Sequence, residues 1–243
     1  MEEPLSGVFE AKGGLCNRLR TIYRYGMLAK KNNLKLTCLW VVNHVCGSPY
    51  NECFEPLENI RFEYIRKIKE NLHYSFENNV YLKEWASFFR PLPNIKKAID
   101  QMKNKIQHIH SIKKEENKHT PNYVAVHIRR TDHIVLAKSK NKYTEDDVFH
   151  NFISKTDCPV YLATDNADTQ SNFIQKYGEE RIFFWERIKH SEKLLRQTDI
   201  FHAIVDLYVC AGSNDFCGTQ YSSFTDTILH LRGRKEFNLS RSL

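Results

Sequence analysis

Apolar runs alternate with helix-like segments along most of this 243-residue chain. The apolar runs are short and rich in β-branched and aromatic residues, as in buried strands, while the segments between them repeat apolar positions at helical spacing. Strands and helices in alternation predict an α/β fold with parallel sheets. The predicted strands are Gly7–Glu10, Leu34–Val42, Ile60–Tyr64, Tyr123–Ile128, Val160–Thr164, Arg181–Trp185 and Asp215–Gly218. The predicted helices are Asn17–Lys31, Asn94–Ile112, Thr144–Lys155, Ala167–Tyr177, Glu192–Ala211 and Ser222–Leu231.

A polar segment that ends in a proline, Lys113–Pro121, is the best linker candidate in the sequence. It predicts two domains, residues 1–118 and residues 119–243. One helix of the first domain carries an apolar stripe that we interpret as a core face rather than a cofactor site. The stripe consists of Ile95, Ile99, Met102, Ile106 and Ile109.

The composition is that of a globular protein, with 41% hydrophobic and 27% charged residues. No apolar run approaches the length of a membrane span, and we expect no membrane-spanning segment. The first residues are acidic, unlike the basic start of a signal peptide. As the sequence stands we expect a cytoplasmic protein, or a lumenal one if a targeting segment has been removed.

The chain is basic, with a net charge of +7 and a pI near 8.9. This charge suits an acidic substrate such as a nucleotide diphosphate sugar, but nucleic acid binding or solubility would suit it equally. Because the lysines are spread along the chain and no aromatic-basic repeat occurs, we expect no nucleic acid partner. The seven cysteines are odd in number and lack zinc-type spacing, which favours buried free thiols over disulfides.

Two adjacent arginines follow one of the predicted core strands, in His127-Ile128-Arg129-Arg130-Thr131-Asp132. A guanidinium is charged at any working pH and presents a fork of donors that matches phosphate or carboxylate oxygens. The carboxyl end of a strand in an open α/β sheet is where such sheets bind ligands. The segment therefore indicates an anion site, although a basic strand end exposed to water would have the same sequence.

Two further segments join a strand to a helix. Lys12-Gly13-Gly14-Leu15-Cys16-Asn17 is a glycine-rich turn, an arrangement in which backbone N–H groups can face an anion or polar ligand. Phe216–Thr225 contains Ser222 and Ser223 at a predicted helix start, where Ser222 is a good N-cap candidate. Each segment also has a plain interpretation, as a turn that requires glycine and as an ordinary serine cap.

Together these segments resemble the superfamily of fucosyltransferases that use GDP-fucose, which includes α1,6- and α1,2-fucosyltransferases and protein O-fucosyltransferases. The resemblance extends from about Phe9 to Gly233 and lies in four motifs in the family's order. The motifs comprise Gly13–Arg18; His127, Arg129, Arg130 and Asp132; Tyr161–Asp165; and Asp206, Asp215, Ser222 and Ser223.

The resemblance implies a GT-B fold, in which two Rossmann-like domains face each other across a cleft. The C-terminal domain, residues 119–243, would bind the GDP-sugar, and the N-terminal domain, residues 1–118, would carry the glycine-rich loop on the acceptor side. This N-terminal domain is short for the family, so we expect a reduced sheet. The implied activity is an inverting transfer of fucose from GDP-fucose to a hydroxyl of a glycan or protein. No cofactor or metal is implied, because the Asp-x-Asp metal motif of other glycosyltransferases is missing.

The family positions suggest roles for most of the matched residues. Arg129 would stabilise the departing β-phosphate as the principal catalytic donor, and Ser222 and Ser223 would close the other side of that phosphate. His127 and Asp206 match positions that hold guanine, whose adjacent N–H donors suit a carboxylate. The apolar surroundings of Asp206 make an unpaired carboxylate costly, so a ligand is the favoured explanation over a buried cation such as Arg196.

The remaining matched residues have less defined roles. Asp165 would bind the ribose or hold Arg130, or would act only as a strand-end cap. Asn17, next to Gly13 and Gly14, would contact the sugar or the phosphate from the N-terminal domain.

The general base is not identified by the motifs. The glutamate of the α1,6 branch has Ala137 in its place, and the glutamate of one protein O-fucosyltransferase branch has Gly14. Asp132, His133 and His44 are the candidate bases. Two alternative functions follow: a transferase for another nucleotide sugar, and a catalytically degenerate relative that binds GDP or glycan. Trp40, Tyr50 and Trp85 either stack on an acceptor sugar or belong to the core.

Overall fold

The structure is a computed structural model that describes residues 6–65, 88–113, 123–132, 134–189 and 198–233. Within it the chain forms two compact units, Met1–Leu92 and Pro93–Leu243. Each unit contains its own parallel sheet. In the described part of the chain, none of the helices combines the length and the apolar character that crossing a bilayer requires.

The first unit is built on three parallel strands, β1 (Ser6–Ala11), β2 (Lys35–Val41) and β3 (Ile60–Ile65), in the order β1-β2-β3. Helix α1 (Leu15–Asn32) connects β1 to β2 and packs on both. It begins two residues earlier than its apolar periodicity predicts, because Gly14 adopts the extended N-cap conformation.

Aromatic residues form much of the core of the first unit. Trp40 and Tyr50 are buried, and their rings meet edge to face at 6.0 Å between centroids. Tyr50 stacks on Phe62 at 4.0 Å and on Phe54 at 5.3 Å. Trp40 and Tyr50 are therefore core residues in this structure, while Trp85 lies outside the described residues.

The second unit is built on four parallel strands in the order β6-β5-β4-β7. Apolar residues of these strands and of the helices beside them form one core, which includes Val126, Leu162, Phe149 and Phe173. The strands are β4 (Val124–Ile128), β5 (Val160–Thr164), β6 (Ile182–Phe183) and β7 (Asp215–Gly218). The helices are α2 (Pro93–Lys113), α3 (Ile134–Ser139), α4 (Asp146–Ser154), α5 (Ala167–Tyr177), α6 (Ile200–Ala211) and α7 (Ser223–Leu231).

The two units meet in sequence at Leu92 and Pro93, earlier than the expected boundary between residues 118 and 119. The physical reason is helix α2, which packs on α6 of the second unit and whose stripe residues Ile95, Ile99, Met102 and Ile106 are buried. The segment with the most linker-like composition therefore follows a helix that already belongs to the second unit. Polarity marks an exposed connection, but it does not show to which core the preceding helix belongs.

The predicted elements of the described residues are present, with small changes at their ends. Strand β6 is shorter than the predicted Arg181–Trp185, and α6 begins at Ile200 because Asp199 caps it by accepting from the His202 N–H at 2.7 Å. The predicted first part of that helix, residues 192–197, lies outside the described residues. Helix α3 was not predicted. None of the seven cysteines forms a disulfide and six are buried, as expected.

The strand order of the second sheet creates a switch point between β4 and β7. From β4 the chain proceeds outward to β5 and β6, and it then returns to add β7 on the opposite side of β4. The segments that follow β4 and β7 consequently leave the sheet in opposite directions and open a crevice at its carboxyl edge, where α/β sheets bind ligands. The segment Arg129–Asp132, here called the arginine segment, follows β4. The segment that contains Ser222 and Ser223 follows β7.

Candidate active site

Thr219 joins the two chain segments at the switch point. Its N–H donates to the His127 carbonyl at 2.9 Å, and its hydroxyl lies 3.1 Å from the same oxygen and 2.9 Å from the N–H of Arg129. The hydrogen bonds extend the pairing of β4 and β7 beyond the ends of both strands. They fix the start of the arginine segment relative to the start of α7, a role for Thr219 that the sequence motifs do not reveal.

Arg129 lies between two carboxylates. Its Nη1 is 2.9 Å from Asp165 Oδ2, and its Nη2 forms a short ion pair with Asp132 Oδ1. The Asp165 side chain is 7% exposed and that of Asp132 is 34% exposed, so the guanidinium has one buried partner and one near solvent. Arg129 is thus ion-paired within the carboxyl-edge segments, and it keeps 18% of its side-chain surface exposed.

Asp165 organises the whole arginine segment. It directly follows β5, the strand beside β4, and its carboxylate accepts three donors from three consecutive residues. The donors are the Arg130 N–H at 2.8 Å, the Thr131 hydroxyl and the Arg129 guanidinium. A buried carboxylate with three donors is well compensated. Among the roles considered for Asp165, the structure shows that it holds the backbone of Arg130.

Arg130 has surroundings quite different from those of Arg129. Its guanidinium donates to the Thr144 carbonyl at 2.8 Å and to Asp146 Oδ1 at 2.5 Å, and it lies 4.9 Å from the ring centroid of Tyr143. The ring of Phe149 is 5.6 Å away on the same guanidinium. With 8% of its side chain exposed, Arg130 connects the segment after β4 to the start of α4 and acts as a structural cation here.

His127 is buried in β4 and contacts the first turn of α7. Its Nδ1 is 2.8 Å from the Thr225 hydroxyl, and its ring stacks on Phe224 at 4.6 Å between centroids. Gly218, at the end of β7, makes this approach possible, because a Cβ there would lie 2.6 Å from Thr225 Cγ2. The imidazole is therefore part of the packing between β4 and the first turn of α7.

Ser222 is the N-cap residue of α7, as predicted, but its side chain does not cap the helix. The hydroxyl makes no capping hydrogen bond, although the residue is only 5% exposed, and Ser223 begins the helix behind it. The first N–H groups of a helix have no intrahelical partners and carry partial positive charge. The hydroxyl and these N–H groups are suitable donors for an anion in the switch-point crevice.

Asp206 lies away from the switch point, on α6 beneath the middle of the sheet. Its carboxyl accepts a hydrogen bond from the Tyr161 hydroxyl at 2.6 Å, and its Oδ2 is 3.5 Å from His202 Nε2. Tyr161 lies on β5 about 13 Å before Asp165, measured along the strand. Burial raises the pKa of Asp206 from 3.8 to about 6, against the opposing effects of His202 and Tyr161.

The expectation that the buried carboxyl of Asp206 requires a ligand or Arg196 is not met in the structure. Two polar partners that sequence reasoning missed, Tyr161 and His202, compensate the carboxyl without either. The helical spacing in the sequence could have identified His202, which lies one turn from Asp206. No sequence pattern could have identified Tyr161, because its contact with Asp206 joins residues distant in sequence. Arg196 lies outside the described residues, and the guanine-binding role of Asp206 gains no support from this geometry.

The glycine-rich loop belongs to the first unit and is held by Arg18. Gly13 has a φ of +82°, which favours glycine, and Gly14 is the N-cap of α1. Arg18 is buried, donates to the Gly13 carbonyl at 2.7 Å and to the Val41 carbonyl at 2.6 Å, and so ties the loop to the end of β2. Asn17 is half-buried, and its Oδ1 accepts from Arg20 at 2.7 Å.

Two of the three candidate bases, Asp132 and His44, lie among the described residues. Asp132 is the Arg129 partner nearer to solvent, and His44 is exposed in a turn of the first unit. His133 lies outside the described residues. Over the described ranges of the chain, no group of three histidine, cysteine or carboxylate side chains is arranged to hold a metal ion.

Comparisons with known proteins identify the fold. No family model matches the chain. It is 26% identical over 132 residues to O-fucosyltransferase 14 of Arabidopsis thaliana, an alignment that spans 46% of this chain and 23% of that protein. Among solved structures, the α1,6-fucosyltransferase NodZ soaked with GDP-fucose aligns with a TM-score of 0.60 at 13% identity and covers 98% of this chain and 96% of its own. A second NodZ structure, from Bradyrhizobium, also has a TM-score of 0.60.

The protein POFUT1 in complex with GDP has a TM-score of 0.60 at 11% identity, with coverage of 97% of this chain and 96% of its own. Identities this low establish the fold and not the activity. The chain spans less than a quarter of the curated plant relative, but almost the full length of both kinds of solved structure. The chain therefore shares its fold with NodZ and POFUT1, and the resemblance expected from the sequence is confirmed at the level of the fold.

Proposed function

We propose that this chain transfers fucose from GDP-fucose to an acceptor hydroxyl of a glycan or protein, with inversion at the anomeric carbon and without a metal ion. The observation that carries the proposal is that the segments of Arg129 and of the Ser222-Ser223 helix start follow adjacent strands at one switch point and are joined there by Thr219. A diphosphate between these segments would meet a guanidinium on one side and helix N–H groups on the other. NodZ, which shares the fold, has been solved after soaking with GDP-fucose, and POFUT1, which also shares it, has been solved in complex with GDP.

The proposed chemistry depends on the leaving group. The oxygen of the acceptor hydroxyl attacks the anomeric carbon, the bond from that carbon to the β-phosphate oxygen breaks, and GDP departs with the bonding electrons. The transition state resembles an oxocarbenium ion, and negative charge grows on the β-phosphate. Donors that are already oriented towards that phosphate supply the largest electrostatic stabilisation. Arg129, held in place by Asp165, is the proposed principal donor.

The ion pair between Arg129 and Asp132 suggests how the acceptor proton is removed. Asp132 is the more exposed partner and lies in the segment just before α3, so it is the carboxylate that a diphosphate can displace at low cost. In our proposal Asp132 accepts the acceptor proton as general base. By then the diphosphate has displaced Asp132 from Arg129, so the guanidinium is already paired with the phosphate when the bond to the anomeric carbon breaks. His133 is the alternative base.

One observation favours a second candidate function, a relative that binds GDP-sugar without transferring it. Ala137, which replaces the glutamate of the α1,6 branch, is fully buried in α3. The position is thus a packing position in this chain and offers no carboxylate to an acceptor. A transferase for another nucleotide sugar is the further alternative, and it differs only in which donor is turned over.

The test combines calorimetry with a measurement of GDP release. Wild-type protein should bind GDP and release it from GDP-fucose, with and without EDTA, whereas Arg129→Ala should lose affinity by about a hundredfold or more. Arg187→Ala is the matched control, because Arg187 is an exposed arginine of the same unit with an ion pair to Glu179, and it should bind as the wild type does.

Absence of GDP binding at millimolar nucleotide would refute the proposal. Binding without GDP release, even when acceptors are supplied, would favour the non-catalytic relative. Faster turnover of GDP-mannose than of GDP-fucose would assign another donor sugar.

A further inference from the structure

The guanidinium of Arg129 is held by two carboxylates of its own chain. Its Nη1 lies 2.9 Å from Asp165 Oδ2, and its Nη2 forms an ion pair with Asp132 Oδ1. A phosphate that approaches the same guanidinium must either displace one of these carboxylates or remain beside a like charge, and both alternatives oppose its binding. The site that we propose for the diphosphate therefore contains its own competing anion.

The two carboxylates differ in how readily they can leave Arg129. The Asp165 side chain is 7% exposed and also accepts from the Arg130 N–H and the Thr131 hydroxyl, so its departure would leave these donors unsatisfied. The Asp132 side chain is 34% exposed, and water can solvate its charge when the ion pair opens. Exposed ion pairs are weak for this reason. Asp132 is consequently the exchangeable partner of the guanidinium.

Asp132 is also tethered to the arginine with which it pairs. It follows Arg129 by three residues in the same segment, so the ion pair forms within the chain and does not depend on protein concentration. A group on a short tether competes at an effective concentration on the order of millimolar. The carboxylate can therefore return to the guanidinium each time a phosphate contact there opens.

We infer that Asp132 is an internal competitor of the diphosphate, which weakens the binding of GDP and speeds its release after transfer. The inference rests on the proposed function, in which Arg129 contacts the β-phosphate, but it holds whether or not Asp132 is the general base. When the contact between Arg129 and the phosphate opens, Asp132 pairs with the guanidinium and prevents the contact from closing again. Product release limits turnover in many enzymes, so faster release of GDP is an advantage.

The sign of the effect distinguishes a competitor from a structural support. If Asp132 only held Arg129 in its orientation, replacement of the carboxylate would weaken GDP binding, because the guanidinium would lose its fixed direction. Replacement of a competitor strengthens GDP binding instead. Asp165 is the structural support of the same guanidinium, so the two carboxylates should respond to replacement in opposite directions.

The experiment measures the affinities for GDP and GMP by calorimetry and the dissociation of a fluorescent GDP analogue by stopped-flow displacement. Asp132→Asn removes the competing charge, and Asp132→Glu restores a carboxylate. Asp146→Asn is the matched control, because Asp146 pairs with the neighbouring Arg130 at 2.5 Å and its replacement changes the net charge by the same amount. GMP lacks the β-phosphate and is the control ligand.

We expect Asp132→Asn to bind GDP about three- to tenfold more tightly than the wild type, mainly because dissociation is slower. Its affinity for GMP should change by less than about twofold, as should the GDP affinity of Asp146→Asn. Asp132→Glu should return the GDP affinity towards the wild-type value. Together these results would establish competition at the β-phosphate.

Three results would overturn the inference. Unchanged or weaker GDP binding by Asp132→Asn would show that the carboxylate does not compete. Equal tightening in Asp146→Asn would reduce the effect to net charge, and equal tightening of GMP would place it away from the β-phosphate. In each case GDP binding by the wild type, lost in Arg129→Ala, would leave the proposed function standing, whereas a wild-type protein that binds no GDP would remove the proposed function itself.

Discussion

The guanidinium of Arg129 forms an ion pair with the buried carboxylate of Asp165, with Nη1 and Oδ2 2.9 Å apart. The pair joins the ends of the adjacent strands β4 and β5. Because Asp165 also accepts from the Arg130 N–H and the Thr131 hydroxyl, one carboxylate sets the course of the chain after β4 and the direction of the Arg129 side chain. The proposed phosphate donor is therefore oriented before any ligand arrives.

Replacement of Asp165 should damage both stability and binding. Asp165→Asn offers its three donors one oxygen and an NH2 group, and we expect the free energy of unfolding to fall by about 2–4 kcal/mol. GDP affinity should fall by about tenfold or more, because Arg129 loses its fixed direction. Denaturant unfolding and calorimetry measure the two effects.

Asp132→Asn is the matched comparison, since Asp132 pairs with the same guanidinium but is more exposed. Its stability should change by less than about 1 kcal/mol, while turnover of GDP-fucose should fall strongly if Asp132 is the base. Equal stability losses in Asp165→Asn and Asp132→Asn would contradict the organising role of Asp165.

Arg130→Lys should separate the two arginines. Arg130 donates to Thr144 and Asp146 and packs on Tyr143 and Phe149, and a lysine cannot reproduce this planar arrangement. We expect the free energy of unfolding to fall by about 1–3 kcal/mol, with a small effect on GDP affinity measured under folded conditions. In Arg129→Lys the larger effect should be on GDP affinity. The reverse pattern would show that Arg130 is the phosphate donor.

Asp206 should make stability depend on pH. Its folded-state pKa of about 6 lies above the ordinary value of 3.8, so the folded protein holds this proton more tightly than the unfolded chain does. The resulting stability is fully present below about pH 4 and is lost as pH rises through about 6, a decrease of about 3 kcal/mol. Subtracting the unfolding free energies of Asp206→Asn from those of the wild type isolates this decrease from other titrating groups.

The same decrease should move to higher pH in Tyr161→Phe, because loss of the hydrogen bond from the Tyr161 hydroxyl raises the pKa of Asp206 further. Repeating both comparisons in a His202→Gln background removes the contribution of the imidazole 3.5 Å from the carboxyl. A difference curve that is flat between pH 4 and pH 7 would show that the Asp206 carboxyl is solvated or permanently paired.

Local signals in the sequence determined the elements of this fold. Helix α5 begins and ends where predicted, because Asn166 caps it by accepting from the Thr169 N–H and Gly178 ends it with a φ of +88°. Strand β5 also has its predicted ends, since a short run with β-branched and aromatic residues, preceded by Pro159 and followed by Asp165, specifies a buried strand. Such signals act between residues close in sequence, so the chain can be divided into strands and helices without knowledge of its tertiary contacts.

Only the tertiary structure decided what the polar side chains do. Arg129 and Arg130 are chemically identical neighbours, yet one lies between Asp132 and Asp165 and the other packs between Thr144 and Phe149. The energy of a charge depends on its burial and on the atoms around it. Those atoms belong to segments that are remote in sequence, and the sheet brings these segments together in space. The motifs therefore located the arginines at the carboxyl edge, and the contacts made in the folded protein determined that Arg130 is the more enclosed of the two.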